Sequence, residues 1–185
     1  MIKEEFYFDS RDGESRIHAV RYTPDDGNVK GIVQVVHGMA EYVERYENLA
    51  EFLTARGILV TGEDHLGHGK SVAEGGTYGY FCEQDPATVV VRDVHRLHKI
   101  TEESYPEVPY VILGHSMGSF ITRNYLCRYG KGVRKACDSL KKAGVKNITV
   151  KLYENDRHEL LNEEDGEQAM EDIYQWIRRE IPGLD

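Results

Sequence analysis

The spacing of apolar residues changes several times along the chain, and each change predicts an element. Glu5 to Phe8 and Ile17 to Tyr22 alternate apolar and polar positions on either side of Asp9-Ser10-Arg11-Asp12-Gly13, which predicts an antiparallel hairpin. Pro24-Asp25-Asp26-Gly27-Asn28 is a second turn that closes it. Gly31-Ile32-Val33-Gln34-Val35-Val36 is a β-branched run of the kind buried on both faces of a parallel sheet, and it stops at His37-Gly38. Tyr46, Leu49, Ala50 and Leu53 recur at helical spacing, with Gly57 to end the helix. Ile58 to Thr61 predicts a strand, a loop follows through Gly67 and Gly69, Val90, Val94 and Leu97 mark a helix, and Tyr110 to Leu113 mark another strand. Strand and helix in alternation predict an α/β sheet with crossover helices on both faces.

Beyond Ser116 the rhythm changes. Phe120, Ile121, Asn124 and Tyr125 predict a helix ending at Gly130, and Val133, Ala136, Leu140 and Ala143 a second one ending at Gly144, with no strand between them. A strand from Asn147 to Tyr153 and a last helix with Met170, Ile173, Ile177 and Ile181 on one face complete the pattern. No repeat, low-complexity tract or linker interrupts it, so residues 1–185 are expected to form a single domain.

Composition narrows the classes without choosing among them. The 185 residues are enough for one well-buried core. Lys and Arg number 23 against 32 Asp and Glu, a net charge of −9, which leaves no basic face for a phosphate backbone and argues against a nucleic-acid partner. The first residues carry no apolar run of signal-peptide length, and no uncharged stretch approaches the ~20 residues of a membrane span, so a soluble cytoplasmic protein without stable membrane anchoring is expected. Cys82, Cys127 and Cys137 are odd in number and have no metal-ligand spacing, which argues against a disulfide framework or zinc site. Asn147-Ile148-Thr149 matches a glycosylation acceptor but lies inside an apolar run, as strand sequence does.

The sharpest chemical signal is Gly114-His115-Ser116-Met117-Gly118, a G-x-S-x-G between a predicted strand and a predicted helix. Glycines there permit the tight turn that exposes a serine hydroxyl, and the helix start behind it offers backbone N–H groups to a developing oxyanion. His37-Gly38-Met39 ends the earlier buried strand, where the second oxyanion donor of such a site sits. The expected donors are the backbone N–H groups of Met39 and Met117, with the His37 side chain structural.

A serine nucleophile needs a base. His95 and His98 fall on a predicted helix and are expected at the surface. His65 and His68, in Asp64-His65-Leu66-Gly67-His68-Gly69-Lys70-Ser71, lack a third metal ligand, so no metal is expected. His158 follows the strand Asn147 to Tyr153 at the end where α/β sheets place their sites, and it is the best candidate base.

These residues resemble the monoacylglycerol lipase and lysophospholipase branch of the α/β-hydrolases, grouped with the serine aminopeptidase-type hydrolases. The resemblance rests on His37-Gly38-Met39-Ala40-Glu41, Arg45-Tyr46, Asp64 through Ser71, Gly114 through Ser119 and Arg157-His158-Glu159, and it extends from the amino-terminal hairpin to the last helix. It implies an α/β-hydrolase fold, Ser116 as nucleophile, His158 as base, Met39 and Met117 as oxyanion donors, and no cofactor. Tyr42 stands where many relatives have histidine. A larger departure is that Ser116 and His158 are only 42 positions apart, whereas family members carry between them a cap, two further strands and the acidic triad member. Lys131-Gly132-Val133 resembles the segment that begins just after that acid. The expectation is therefore a truncated α/β-hydrolase, a mostly parallel sheet with an antiparallel hairpin and no cap domain.

Three consequences follow from that departure. Asp138, Glu154 and Asp156 are the candidate acids, and none is assigned; losing the acid's role in other serine hydrolases lowers turnover by ~10⁴, so a weak esterase is expected. An uncapped serine is open to water, which favours short, soluble esters. A sheet that does not close up leaves an open edge, so a homo-oligomer through that edge is expected. The leading reading is a carboxylic-ester hydrolase acting on a small-molecule ester. The alternatives are a catalytically impaired remnant acting as a binding or assembly module, and hydrolysis of amide bonds.

Overall fold

A computed structural model describes residues 1–129, 160–181 and 184. Strands β1 (Ile2–Asp9) and β2 (Arg16–Thr23) pair antiparallel, from Ile2 opposite Thr23 to Asp9 opposite Arg16. Their turn is closed by the Asp12 carboxylate, which accepts the N–H groups of Glu14 and Ser15, both at 2.9 Å. β1 begins three residues before the alternation predicted, because it is an end strand whose only fully buried residue is Phe8, and ladder bonds rather than burial define its length.

β3 (Gly31–Val36) and β4 (Ile58–Glu63) are buried at every position, as the β-branched run implied. β4 continues past Thr61 because Gly62 and the buried Glu63 stay in the sheet, where a polar residue ends an apolar pattern but not a strand. β5 is Tyr110–Gly114. The strand order is β1-β2-β4-β3-β5, with β2 antiparallel to β4 and β3 parallel to both β4 and β5. The sheet is mixed, its antiparallel part being the hairpin and its seam with β4.

A 3₁₀ turn at Val43–Tyr46 leads into helix α1 (Glu47–Thr54). Helix α2 is Pro86–Ser104, with proline at its first position, where the missing N–H would have no helical partner anyway. Helix α3 is Met117–Tyr129, and helix α4 is Gly166–Glu180. The period-2 alternation of the strands sorts their side chains onto two faces. Val20, Tyr22, Val33, Val35 and Val60 pack under Leu49 and Leu53 of α1 and Ile177 of α4. Ile17, Ala19 and Val36 pack under Val90, Val94 and Leu97 of α2 and Ile121 and Tyr125 of α3. At about 1.5–3 kcal/mol for each large apolar side chain fully buried, these two layers hold the ends of β3 and β5 in register.

The histidines of α2, expected at the surface, are half-buried. His98 stacks on Tyr110 with centroids 4.1 Å apart and its Nδ1 lies 2.6 Å from the Tyr125 hydroxyl, while His95 stacks on Tyr129 at 3.7 Å. α3 covers that face of α2, a contact between residues some thirty positions apart that no local pattern reveals. The predicted helix after Gly130, the strand Asn147 to Tyr153, His158, the acids Asp138, Glu154 and Asp156, and the expected absence of a cap all lie outside the described residues. Among the described residues no helix is long and apolar enough to cross a membrane.

Candidate active site

β3 and β5 run parallel and end side by side, Val36 opposite Gly114, so the loops leaving both strands emerge at one edge of the sheet. The His115 N–H donates to the Val36 carbonyl at 3.1 Å. Ser116 follows with φ of +49°, in the left-handed region where a side chain costs about 1–2 kcal/mol. With that conformation the chain passes from strand into α3 across only His115 and Ser116. The turn is pinned by Gly118 N–H to His115 carbonyl at 2.7 Å, Ser119 N–H to Ser116 carbonyl at 2.9 Å and Ser119 Oγ to Gly114 carbonyl at 2.9 Å. Both glycines of the motif are dictated by close approach: a Cβ on Gly118 would lie 1.9 Å from the Val36 carbonyl oxygen, and one on Gly114 would lie 2.6 Å from Thr122 Oγ1.

His37-Gly38-Met39 leaves the end of β3 against this turn. The His37 ring is fully buried and stacks on His65, centroids 4.0 Å apart. Its Nε2 accepts the His65 N–H at 3.0 Å, so Nδ1 carries the proton and donates to the Gly38 carbonyl at 2.7 Å. Burial, reinforced by His65, holds the His37 pKa well below the usual histidine value, and the ring stays neutral. Because the peptide is trans, fixing the Gly38 carbonyl directs the Met39 N–H to the opposite side. Neither the Met39 nor the Met117 N–H meets a hydrogen-bond acceptor among the described residues. The Met39 side chain is 69% exposed, so its backbone is the part the fold fixes.

A buried polar chain runs under this loop. The Tyr110 hydroxyl donates to Gln34 Oε1 at 2.8 Å, and Gln34 Nε2 reaches the Val94 carbonyl at 3.0 Å and Glu63 Oε2 at 3.4 Å. Glu63 Oε1 stands 3.4 Å from His65 Nδ1, and His65 Nε2 lies 3.2 Å from the His37 carbonyl. Burial pushes Glu63 up to about 8 and His65 down to about 4, so at neutral pH both are uncharged. Glu63 keeps a proton in the folded state that the unfolded chain has released above its ordinary value near 4.5, so its burial lowers stability as pH rises from there to about 8. Glu63→Gln, which keeps the shape of the side chain without titrating, is expected to flatten the decline between pH 6.5 and 8 by about 1–2 kcal/mol; urea unfolding across that range checks it.

Asp64 explains the next part of the motif stretch. Its carboxylate accepts the Val43 N–H at 2.7 Å, the Lys70 N–H at 2.8 Å and His18 Nδ1 at 2.9 Å, tying the loop after β4 to β2 and to the start of the 3₁₀ turn. His65 and His68 are buried in aromatic contact with His37, and among the described residues no group of three His, Cys, Asp or Glu side chains is placed to hold a metal ion.

The described structure thus brings together Ser116, Met117, Gly38 and Met39. His158 and the three acids lie outside it. Sequence reasoning missed Glu41, whose carboxylate takes the Gly38 N–H at 2.6 Å and His115 Nδ1 at 3.1 Å. Its presence in the stretch His37 to Glu41 was the available signal.

The profile of the serine aminopeptidase S33 family matches residues 27–139, a span that holds both loops and ends before His158. The chain belongs to that family. It is 38% identical over 102 residues to the monoglyceride lipase of Rattus norvegicus, covering 55% of this chain and 32% of that protein. It is 37% identical over 108 residues to the monoacylglycerol lipase of Mycolicibacterium smegmatis (strain ATCC 700084 / mc(2)155), covering 58% and 36%. Among solved structures, a highly thermostable carboxyl esterase from Bacillus coagulans in complex with glycerol aligns with TM-score 0.66 and 39% identity over 71% of this chain and 42% of that one. The chain spans about a third of the length of the curated relatives it matches. With such neighbours, the mixed sheet and its helices on both faces are an S33-family α/β-hydrolase fold. The matched family span leaves out the hairpin and α4, over which the resemblance was also expected.

Proposed function

We propose that the chain is a serine-type carboxylic-ester hydrolase in which Ser116 forms an acyl-enzyme. One observation carries the reading: a non-glycine residue in the left-handed region, at a strand-to-helix turn, is a serine set directly against Gly38. A strained backbone held by packing on both sides is the expense a fold bears where a side chain must be presented in one direction. The names of the relatives and of the aligned esterase support ester chemistry.

In this reading Ser116 Oγ attacks the ester carbonyl carbon while His158 takes its proton. The negative charge that develops on the carbonyl oxygen is received by the N–H groups of Met39 and Met117, and donors fixed before the reaction need no reorganisation during it. Collapse breaks the bond to the leaving alcohol, which takes the proton back from His158. Water, deprotonated by the same histidine, then releases the carboxylic acid and restores Ser116. No cofactor enters. The substrate class is short-chain acyl esters or monoacylglycerol-like esters.

Steady-state hydrolysis tests it, with p-nitrophenyl butyrate and a long-chain monoacylglycerol as the two substrates. Turnover of the butyrate ester is expected, falling to the uncatalysed background in Ser116→Ala, a loss on the order of 10³ or more. Equal turnover in the variant contradicts the mechanism. A folded protein with no turnover on either substrate points instead to a binding module, and faster cleavage of the long-chain substrate overturns the short-chain preference.

A further inference from the structure

The mechanism above leaves Glu41, Arg45 and Tyr46 without a role, although all three fall in the motif stretches and all three converge. Glu41 is 8% exposed, and a single carboxylate oxygen, Oε2, receives the Gly38 N–H at 2.6 Å, the Tyr46 hydroxyl at 3.1 Å and His115 Nδ1 at 3.1 Å. Arg45 Nε stands 3.6 Å from the other oxygen. A ring nitrogen facing a carboxylate at that distance carries the hydrogen, so His115 donates.

Two of these donors belong to the two halves of the site. Gly38 is the residue before Met39, and His115 is the residue before Ser116. The two loops leave different strands and are 74 positions apart along the chain. Besides the backbone bond between His115 and Val36, this oxygen links them through Gly38 N–H and His115 Nδ1. The fit is tight: a Cβ on Gly38 would lie 2.7 Å from Glu41 Oε2, 3.2 Å from His115 Nδ1 and 3.1 Å from Ser116 Cβ. The His37 bond to the Gly38 carbonyl and the Glu41 bond to the Gly38 N–H fix the peptide units on both sides of that residue. The orientation of the Met39 N–H is then set by groups that never touch a substrate.

We propose that Glu41 is a positioning residue, a carboxylate that cross-links the Gly38-Met39 loop to the nucleophile turn through Gly38 N–H and His115 Nδ1 and so sets the separation of the Met39 N–H from Ser116 Oγ. The proposal rests on Ser116 being the nucleophile. Charge-assisted hydrogen bonds are about twice as strong as neutral ones, which suits a carboxylate to holding two loops at fixed separation. An oxyanion donor displaced by a fraction of its bond length loses its effect in the transition state while leaving ground-state binding alone, so the signature is in kcat and not in KM.

The test is Glu41→Gln, assayed on p-nitrophenyl butyrate with active sites counted by fluorophosphonate titration. The expected result is kcat per titrated site lower by ~10–100-fold with KM within about threefold. The inhibition constant of a trifluoromethyl ketone, which forms a tetrahedral adduct on the serine, is expected to rise by the same factor as kcat/KM falls. A residue that merely stabilised the fold would reduce the number of titrated sites and leave both quantities unchanged. If Glu41→Gln yields no folded protein, His115→Gln, which breaks the cross-link from the other side, takes its place with the same expectation. An active wild type whose variant keeps kcat per site within threefold overturns the inference alone. A wild type with no turnover overturns it together with the reading of Ser116.

Discussion

Gly118→Ala is expected to be among the most destabilising single substitutions in the described fold. The added Cβ would sit 1.9 Å from the Val36 carbonyl oxygen, 2.6 Å from its carbon and 2.7 Å from the His37 carbonyl oxygen. All three are backbone atoms at the end of β3, so no side chain can swing aside. Relief requires α3 to move off the sheet by more than an ångström. That breaks the His115 to Val36 hydrogen bond and opens the layer in which Ile121 and Tyr125 pack against α2 and the sheet. Overpacking of a core costs ~1–3 kcal/mol when side chains can adjust, and a backbone clash of this depth belongs in the tail above ~4 kcal/mol. Ser119→Ala, at the next residue of the same turn, loses one exposed hydrogen bond to the Gly114 carbonyl and should cost about 1 kcal/mol or less. Urea midpoints for the two variants measure the contrast. A Gly118→Ala midpoint equal to that of Ser119→Ala contradicts the geometry.

Asp64→Ala is expected to cost about 3–5 kcal/mol, the usual result of removing one partner from a buried ion pair. Asp64 is 1% exposed and its partner His18 is wholly buried. Burial opposes the charge on Asp64, but the His18 bond and the N–H groups of Val43 and Lys70 outweigh it and hold the carboxyl below its ordinary value. Burial likewise opposes the charge on His18, and the bonds to Asp64 and Glu5 hold its pKa above the ordinary histidine value. Truncation would leave His18 Nδ1 and two backbone donors without their acceptor, with Glu5 the remaining carboxylate on the ring.

The pH dependence has a fixed sign. With its folded pKa depressed, Asp64 contributes stability above its unfolded value near 3.8, which is lost as pH falls through the folded value. With its folded pKa raised, His18 contributes fully below 6.5 and loses that contribution as pH rises through its folded value. The wild-type minus Asp64→Ala difference in unfolding free energy should therefore be largest between these limits and shrink toward acid. A difference that stays constant from pH 7 down to pH 3 contradicts the pair.

Where the sequence was legible, one strong local constraint stood behind the pattern. β3 was plain because it is buried on both faces, and the serine turn was plain because close packing permits only glycine at 114 and 118. The limits of β1 and β4 were not, since ladder bonds continue through exposed residues at one and through the buried polar Glu63 at the other. Glu41 shows the harder case. Its hydrogen-bond partners lie 3, 5 and 74 positions away, and only the last gives the first two their meaning. The same holds for His98, whose partner Tyr125 is 27 positions on, in the next helix but one strand away. Local periodicity places such residues on an element and is silent about what crosses from the neighbouring one.

The central claim is that Ser116 is a nucleophile activated by its surroundings. Labelling the purified protein with a fluorophosphonate and reading the intact mass, beside a Ser116→Ala control, tests it most directly. The account predicts one adduct on the wild type and none on the variant. No adduct after long exposure, or an adduct that persists in Ser116→Ala, would contradict it.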